Sequence, residues 1–266
     1  MLSVFGLTSG QFETLLLIMV RVTVIMMIIP VFSAKEIPQL ARIGLGMLIT
    51  FVIFKTVTPI APLADLYELL AGIVSQAMIG LVFGFISYLV FMGIQLAGEI
   101  LDIQIGFAVA NVINPLTQTN VTVIGEFELT LASLIYLISN SHHLLLQGVA
   151  GSFNLLQLPY VHLDPSVAGN IMVFFTQSTL IIFKIAAPAA ISLFIVNIAL
   201  GLMARVAPQM NVFVVGFPLQ IGIGLLMIAV SLPLIGSVVP NLYEGVPQQL
   251  DTVMRGMVVP SPSPHP

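Results

Sequence analysis

Three polar side chains at the end of an uncharged apolar run have a spacing that could support proton chemistry. Gln95, Glu99 and Asp102 follow at i, i+4 and i+7, so on a helix they share one face. Two carboxylates this close affect each other's ionisation, which suits a proton relay. We favour the alternative that they lie at a helix end, exposed or paired with an arginine, because the apolar run ends just before them.

The other reactive residue types do not form an enzymatic or metal-binding pattern. His142 and His143 are adjacent, so they point apart on a helix and cannot chelate one ion together. Cysteine is absent, as are the phosphate-binding G-x4-G-K-[ST] loop and the G-x-S-x-G nucleophile elbow. We therefore expect no enzyme activity, no metal and no cofactor.

The composition indicates an integral membrane protein. Hydrophobic residues make up 58%, charged residues only 7%, and the mean hydropathy is +1.13. Soluble domains carry about 25% charged residues. The seven Lys and Arg residues are scattered and the net charge is −4, which excludes a nucleic-acid surface. No Lys or Arg precedes Arg21, so we interpret the first apolar run as a retained membrane segment.

Apolar runs of about 18 or more residues are candidate membrane helices, and the sequence predicts an all-α fold. The runs cover residues 14–31, 40–57, 69–98, 129–149, 167–204 and 212–242. The fifth run would be roughly 55 Å long as a helix, whereas a bilayer core is about 30 Å thick. The fifth and sixth runs also contain prolines, so we expect long, kinked helices and hairpins covered partly by other proteins.

Two cations in or beside the fifth run need an explanation. A lysine at bilayer depth costs about 2.5–3.5 kcal/mol, so Lys184 should face protein or water. We interpret Lys184 as a buried polar lining or an intersubunit ion pair; the alternative is a side chain that snorkels to the membrane surface. For Arg205, at the end of the run, the sequence leaves both interpretations open.

Residues 106–125 do not match the helical pattern around them. The segment is uncharged and rich in Asn and β-branched residues, with a turn signal at Asn114–Pro115. It is either an ordinary surface loop or a re-entrant segment that protein must cover. In the second case, apolar side chains would form a constriction that dewets a pore and Asn side chains would hold the loop. The apolar side chains are Phe107, Val109, Val112 and Ile113, and the loop would be held by Asn111, Asn114, Gln118 and Asn120.

Two stretches carry a resemblance to a known family. The first reads AGEILDIQIGF over residues 97–107 and is followed by Asn114–Pro115. The second reads NIALGLMARVAPQMNVF over residues 197–213 and continues as VVGFPLQI. Together they resemble the FliR family of type III secretion export-gate subunits, and the order of apolar runs agrees over about residues 11–257.

The resemblance implies a division of the chain and two functional segments. Residues 1–164 would be FliP-like and residues 165–258 a FliQ-like helical hairpin, and the Ser/Pro-rich residues 259–266 are expected to be disordered. A plug loop maps onto residues 106–120, with gate residues Gly106, Phe107, Val109, Asn111, Val112, Ile113, Asn114 and Pro115. The hairpin tip, near the cytoplasmic entrance, maps onto Arg205, Pro208, Gln209, Asn211 and Phe213.

The function implied by the resemblance is a gate for unfolded flagellar proteins. The family's gate lies in the bacterial inner membrane within the flagellar basal body and contains FliP and FliQ. It works beside FlhB, FlhA and a cytoplasmic ATPase. One alternative is the same role in a virulence injectisome. Another is a secondary transporter, suggested by Glu99, Asp102, Lys184 and the proline-broken runs. A third is an assembly nucleator that does not line the pore.

Overall fold

The computed structural model describes residues 8–107, 122–156, 158–160 and 164–258. These residues contain eight helices and no strand, which confirms the all-α class. The helices are α1 (Ser9–Ile28), α2 (Pro30–Ser33), α3 (Gln39–Phe54), α4 (Leu66–Ile105), α5 (Val123–Ile138), α6 (Ser141–Leu155), α7 (Pro165–Val206) and α8 (Val212–Arg255). At Ile181, Ile182 and Phe213 only the backbone is described.

Four of the helices in the described part of the chain are long and apolar enough to cross a membrane. They are α1, α4, α7 and α8, and α5 with α6 would add a fifth span if that broken pair is counted as one. Helix α3, with 16 residues, is apolar but shorter. The predicted membrane class is therefore confirmed.

Helices α4, α7 and α8 are each longer than the apolar run that predicted them. Helix α4 has 40 residues and continues to Ile105, so Gln95, Glu99 and Asp102 lie within it. Helices α7 and α8 have 42 and 44 residues, or roughly 63 and 66 Å at 1.5 Å per residue. Helix α7 continues through Pro188.

The run over residues 129–149 was expected to be one helix, and this expectation is wrong. The structure has two helices there, α5 and α6, separated at Ser139 and Asn140. Asn140 has a φ of 58°, in the left-handed region that asparagine tolerates better than most residues. Hydropathy averaged over the whole run hides this break, although residues 139–143 (Ser-Asn-Ser-His-His) are all polar.

Two compact units can be separated by their internal packing. Unit one comprises residues 1–89, 140–175 and 243–266, and unit two comprises residues 90–139 and 176–242. Each unit combines segments from both sides of residue 164. The division at residue 164, which rests on the family resemblance, stays a prediction; helix α7 begins at Pro165.

Close packing of α1 on α4 in unit one depends on two glycines. A Cβ at Gly80 would lie 2.9 Å from the carbonyl oxygen of Arg21, and one at Gly84 would lie 2.9 Å from Cβ of Ile28. Such distances are too short for any side chain, so these glycines allow the helix backbones to approach. Further along α4, the carbonyl oxygen of Ser87 accepts a hydrogen bond from the Tyr243 hydroxyl at 2.9 Å.

A buried arginine joins three helices of unit one. Arg21 is 0% exposed, and its Nε and Nη2 donate to Oε1 of Gln76 at 2.8 and 2.5 Å. Its Nη1 donates to Oγ of Ser152 at 2.7 Å, and Nη2 reaches the carbonyl oxygen of Leu156 at 3.4 Å. The guanidinium lies 3.9 Å from the ring centroid of Phe153. Arg21 thus links α1, α4 and α6 through neutral oxygens and one aromatic face.

We expect Arg21→Lys to destabilise the protein, although the charge is kept. A lysine ammonium cannot reproduce the planar fork that reaches Gln76 and Ser152 together, and lost bonds to a charged donor cost about 1.5–3 kcal/mol each. The thermal midpoint of helix loss in detergent, followed by circular dichroism, should fall by roughly 5–10 °C.

The matched control is Arg255→Lys, because Arg255 pairs with Asp251 on an exposed helix surface at 2.8 Å. Exposed pairs contribute about 0–1 kcal/mol, so the midpoint should hardly change. Equal midpoints for the two variants would show that the Arg21 contacts do not stabilise unit one.

Candidate functional site

The carboxylate of Asp102 binds the beginning of helix α5. The backbone N–H of Ile124 donates to both oxygens of Asp102 at 3.1 Å, and the N–H of Gly125 donates to Oδ2 at 3.2 Å. Thr122, at the usual capping position, makes no side-chain capping bond. Asp102 is 3% exposed, so it caps α5 from another helix in a site shielded from water, where a charge-assisted bond is strong.

The main chain of the same residue binds the end of α4. The N–H groups of Gly106 and Phe107 donate to the carbonyl oxygen of Asp102 at 3.1 and 3.0 Å. Gly106 has a φ of 95°, which residues with a side chain adopt only with strain. Glycine therefore suits this position directly after the end of α4. Asp102 consequently holds both ends of the segment between Gly106 and Thr122. We call Asp102, Gly106, Phe107, Ile124 and Gly125 the loop base.

Helices α4 and α5 approach closely beside the loop base. A Cβ at Gly98 would lie 2.6 Å from the Cα of Gly125. A Cβ at Gly125 would lie 3.1 Å from the carbonyl oxygen of Gln95 and 3.2 Å from Cγ of Glu99. Gly125 therefore meets Gln95, Glu99 and Asp102, which confirms that the three share one helix face.

An apolar layer supports the loop base. The buried side chains are Leu101, Ile105, Ile124, Ala189, Leu193 and Ile228. Phe107 is partly buried against them. A Cβ at Gly106 would lie 3.3 Å from the Phe217 ring, so this ring of α8 packs close to the exit of α4.

A cleft next to Gly106 is lined by amides and apolar side chains. Its volume is about 330 Å³. The Gln220 amide donates to the Asn197 carbonyl oxygen across the α7–α8 hairpin, and Gln104 lines the opposite wall from α4. This lining has hydrogen-bond donors and acceptors but no titratable group, so it can bind peptide groups and cannot supply acid–base chemistry.

The remaining predicted charged residues have different surroundings. Glu99 is half-buried, and Lys184 is exposed in the middle of α7. The expectation that Lys184 is buried is therefore corrected for the single chain, because α7 leaves this part of its surface uncovered. Six predicted gate residues lie outside the described residues. These are Val109, Asn111, Val112, Ile113, Asn114 and Pro115.

The predicted hairpin tip forms a turn between α7 and α8. Helix α7 ends at Val206 and α8 begins at Val212. Asn211 precedes α8 and caps its first turn, since its Oδ1 and its carbonyl oxygen accept from the N–H of Val214 at 3.4 and 3.0 Å. Four tip side chains are exposed: Arg205, Pro208, Gln209 and Asn211. Phe213 lies in α8 with its backbone alone described.

One buried acid was missed from the sequence. Glu128 is 0% exposed on the face of α5 that also carries Gly125, Ala132 and Tyr136. Among the described residues, neither of its carboxylate oxygens has a hydrogen-bond partner. The four-residue spacing from Ile124 could have revealed this buried face, but the apolar run was taken to begin after Glu128. The described residues contain no group of three potential metal ligands.

The chain matches a family whose description is "Bacterial export proteins, family 1" over residues 12–246. A relative from Bacillus subtilis is 37% identical over 238 residues, covering 88% of this chain and 91% of the relative. The Escherichia coli K12 relative is 30% identical, with coverages of 86% and 87%. The Aquifex aeolicus relative is 30% identical, with coverages of 89% and 92%.

This chain belongs to that family. All three relatives carry the name flagellar biosynthetic protein FliR. The family match includes both the loop base and the hairpin tip, so the geometry described above lies within the shared part of the chain.

We expect Asp102→Asn to loosen the start of α5. The amide keeps one acceptor but loses the charge, and bonds to a charged partner exceed neutral ones by roughly 1 kcal/mol each. Amide hydrogen exchange at Ile124 and Gly125 should accelerate about tenfold or more, since 1.4 kcal/mol corresponds to tenfold.

Glu126→Gln is the matched control. Glu126 is in the first turn of the same helix but is exposed, so its loss should change exchange at these amides by about twofold at most. Unchanged exchange in Asp102→Asn would mean that the carboxylate does not hold the loop base.

Proposed function

We propose that the chain is a subunit of the flagellar type III protein-export gate in the bacterial inner membrane, within the flagellar basal body. The observation that carries this proposal is the family match over residues 12–246 together with relatives named flagellar biosynthetic protein FliR. The membrane-competent helices α1, α4, α7 and α8 agree with it. Since the relatives named above are flagellar, the flagellar assignment is preferred to an injectisome.

Within this gate, we assign residues 106–120 the role of a plug. Asp102 holds both ends of the segment, through its carboxylate at Ile124 and Gly125 and its carbonyl at Gly106 and Phe107. Anchored flanks support this assignment, because a plug has to remain attached to the channel wall when the channel opens. Phe107 packs on the apolar layer, so it is a proposed gate residue that belongs to the loop base itself.

The proposed partners are FliP and FliQ in one helical complex, with FlhB and FlhA beside it and unfolded flagellar proteins in transit. Support comes from the long apolar helices of the hairpin, which leave large side chains exposed along α7 and α8. Examples are Phe183, Phe194, Ile195, Leu202, Leu225, Leu226 and Val230. Neighbouring subunits and lipid would cover these surfaces, and Lys184 would pair with a subunit or line a polar path.

A secondary transporter receives less support. Asp102, one of its proposed site residues, binds two backbone N–H groups, and Lys184 lies exposed on α7. The charges that suggested a transport site are thus not gathered into one cavity in the described part of either unit. A transporter would move a small solute when the chain is reconstituted alone in liposomes, whereas a gate subunit would be inert.

Co-purification tests the proposed complex. The tagged chain, produced together with FliP and FliQ from the same organism, should elute with both, and the mass of the intact complex should give their ratio. Recovery of the chain as a stable monomer under the same mild detergent conditions would contradict the gate assignment.

A plug deletion tests the proposed role of the loop. Removing residues 111–119 should leave assembly intact, because the anchored ends remain, but should make cells leak small solutes. Phe107→Asp and Ile113→Asp should give a milder leak, since an acid hydrates an apolar constriction. Phe107→Leu is the control and should stay tight. Ion-tight membranes after the deletion would contradict the plug assignment.

A labelling experiment distinguishes a pore-lining subunit from an assembly nucleator that does not line the pore. Cysteines at Val109 and Asn114 should be labelled differently when an export substrate is trapped in the channel. Labelling that never depends on the trapped substrate would favour the nucleator.

A further inference from the structure

A buried acid without a counter-ion lies on helix α5 of unit two. The side chain of Glu128 is 0% exposed. Among the described residues, neither of its carboxylate oxygens has a hydrogen-bond partner. In the same part of the chain, no Lys, Arg or His side chain forms a salt bridge with it. Glu128 therefore lacks the interactions that normally keep a buried carboxylate in its charged form.

The stretch of α4 that packs beside Glu128 is almost entirely apolar. A Cβ at Gly125 would lie 3.1 Å from the carbonyl oxygen of Gln95. Further along α5, the ring of Tyr136 packs on the ring of Phe91, with 5.4 Å between the centroids. Glu128 lies between these two contacts on the same buried face of α5. Between them, Gln95 is the one polar side chain in the sequence of α4, and it is neutral.

The other titratable groups of unit two do not neutralise Glu128. Residues 212–242 of α8 contain no titratable side chain, and neither do residues 108–121, which lie outside the described residues. Both cations of the unit are on α7 and are exposed, whereas Glu128 is fully buried. By sequence, the titratable residues of unit two besides Glu128 are Glu99, Asp102, Glu126, Tyr136, Lys184 and Arg205.

Asp102 adds a negative charge close to Glu128. Its carboxylate accepts hydrogen bonds from the backbone N–H groups of Ile124 and Gly125. Glu128 follows Ile124 by one turn of the same helix, and the two carboxylates interact electrostatically. Backbone donors stabilise the charge of Asp102, whereas Glu128 has none. Ionising both would bury two like charges side by side, so Glu128 is the member of the pair that keeps a proton.

We propose that Glu128 is a proton-binding site, which holds its proton while α5 is packed on α4 and releases it to water when the buried face of α5 opens. A glutamate in contact with water is ionised at neutral pH, so the packed and opened states of α5 differ by one bound proton. Since the first N–H groups of α5 bind Asp102, the same opening frees the loop base.

The direction of the pH effect follows from the state that binds the proton. The packed state holds it, whereas the opened state loses it above about pH 4.3, where a glutamate in water ionises. The packed state is therefore most favoured in acid. Above this pH, the equilibrium constant for opening should rise by up to about tenfold per pH unit, until Glu128 also ionises in the packed state.

An introduced thiol can report this opening, because the sequence contains no cysteine. Ala132→Cys places the thiol one turn from Glu128 on the same buried face, at a site that is 0% exposed. The full chain in mild detergent is labelled with a dilute water-soluble maleimide, so that the rate follows the opening equilibrium. Rates are compared with and without Glu128→Gln at the same pH, which cancels the ionisation of the thiol itself.

The expected result is a rate ratio that depends on pH. Glutamine mimics the neutral acid but has no proton to release. The labelling rate with Glu128, divided by the rate with Glu128→Gln, should therefore rise between about pH 5.5 and 7, by up to about tenfold per unit. Glu126→Gln is the matched control, because it removes an exposed carboxylate of the same helix. This control should show the same pH dependence as the chain that keeps both glutamates.

Infrared spectroscopy detects the proton directly and does not need the introduced cysteine. The carbonyl stretch of a neutral carboxylic acid is separate from the bands of a carboxylate. At neutral pH the wild type should show a neutral-acid band that Glu128→Gln lacks and Glu126→Gln keeps. The thermal midpoint of each variant is measured alongside, so that a loss of fold is recognised.

Two results would overturn the proposal. The first is a neutral-acid band of equal intensity in the wild type and in a folded Glu128→Gln variant, which would mean that Glu128 binds no proton. The second is a labelling ratio that stays constant with pH, which would mean that opening of α5 is not linked to proton release. Neither result bears on the export-gate assignment, which depends on co-purification.

Discussion

The structure depends on keeping every backbone polar group hydrogen-bonded where water is scarce. Continuous helices of 40, 42 and 44 residues meet this requirement internally for most of the chain. The requirement is hardest to meet where a helix ends between two apolar segments. Asp102 meets it there, since its carboxylate receives the first N–H groups of α5 and its carbonyl receives the N–H groups that follow α4.

Hydropathy and spacing predicted much of the fold and part of the site. The long apolar runs became α1, α4, α7 and α8, and the face shared by Gln95, Glu99 and Asp102 was correct. The role of Asp102 could not be predicted, because its partners lie 22 and 23 residues further along the chain. The spacing suggested proton transfer or an exposed helix end, whereas tertiary packing made the carboxylate a buried helix cap.

Two fully buried charged residues show that the type of a residue does not predict its hydrogen-bond partners. Arg21 interrupts an apolar run, so its presence was visible, but its partners Gln76 and Ser152 lie on other helices. Glu128 precedes the run in which α5 was expected and was overlooked. Arg21 is surrounded by acceptors, whereas Glu128 has no hydrogen-bond partner in the part of the chain that the structure describes. Burial alone therefore does not tell which residue stabilises the fold.

The anchoring of both segment ends at Asp102 has an evolutionary consequence. A chain excursion whose ends are fixed side by side can gain or lose residues at little cost, because loop-closure free energy rises by only about 0.6 kcal/mol for each doubling of length. The fold itself therefore constrains the length of this excursion only weakly, and any tighter constraint on its residues comes from the proposed plug role.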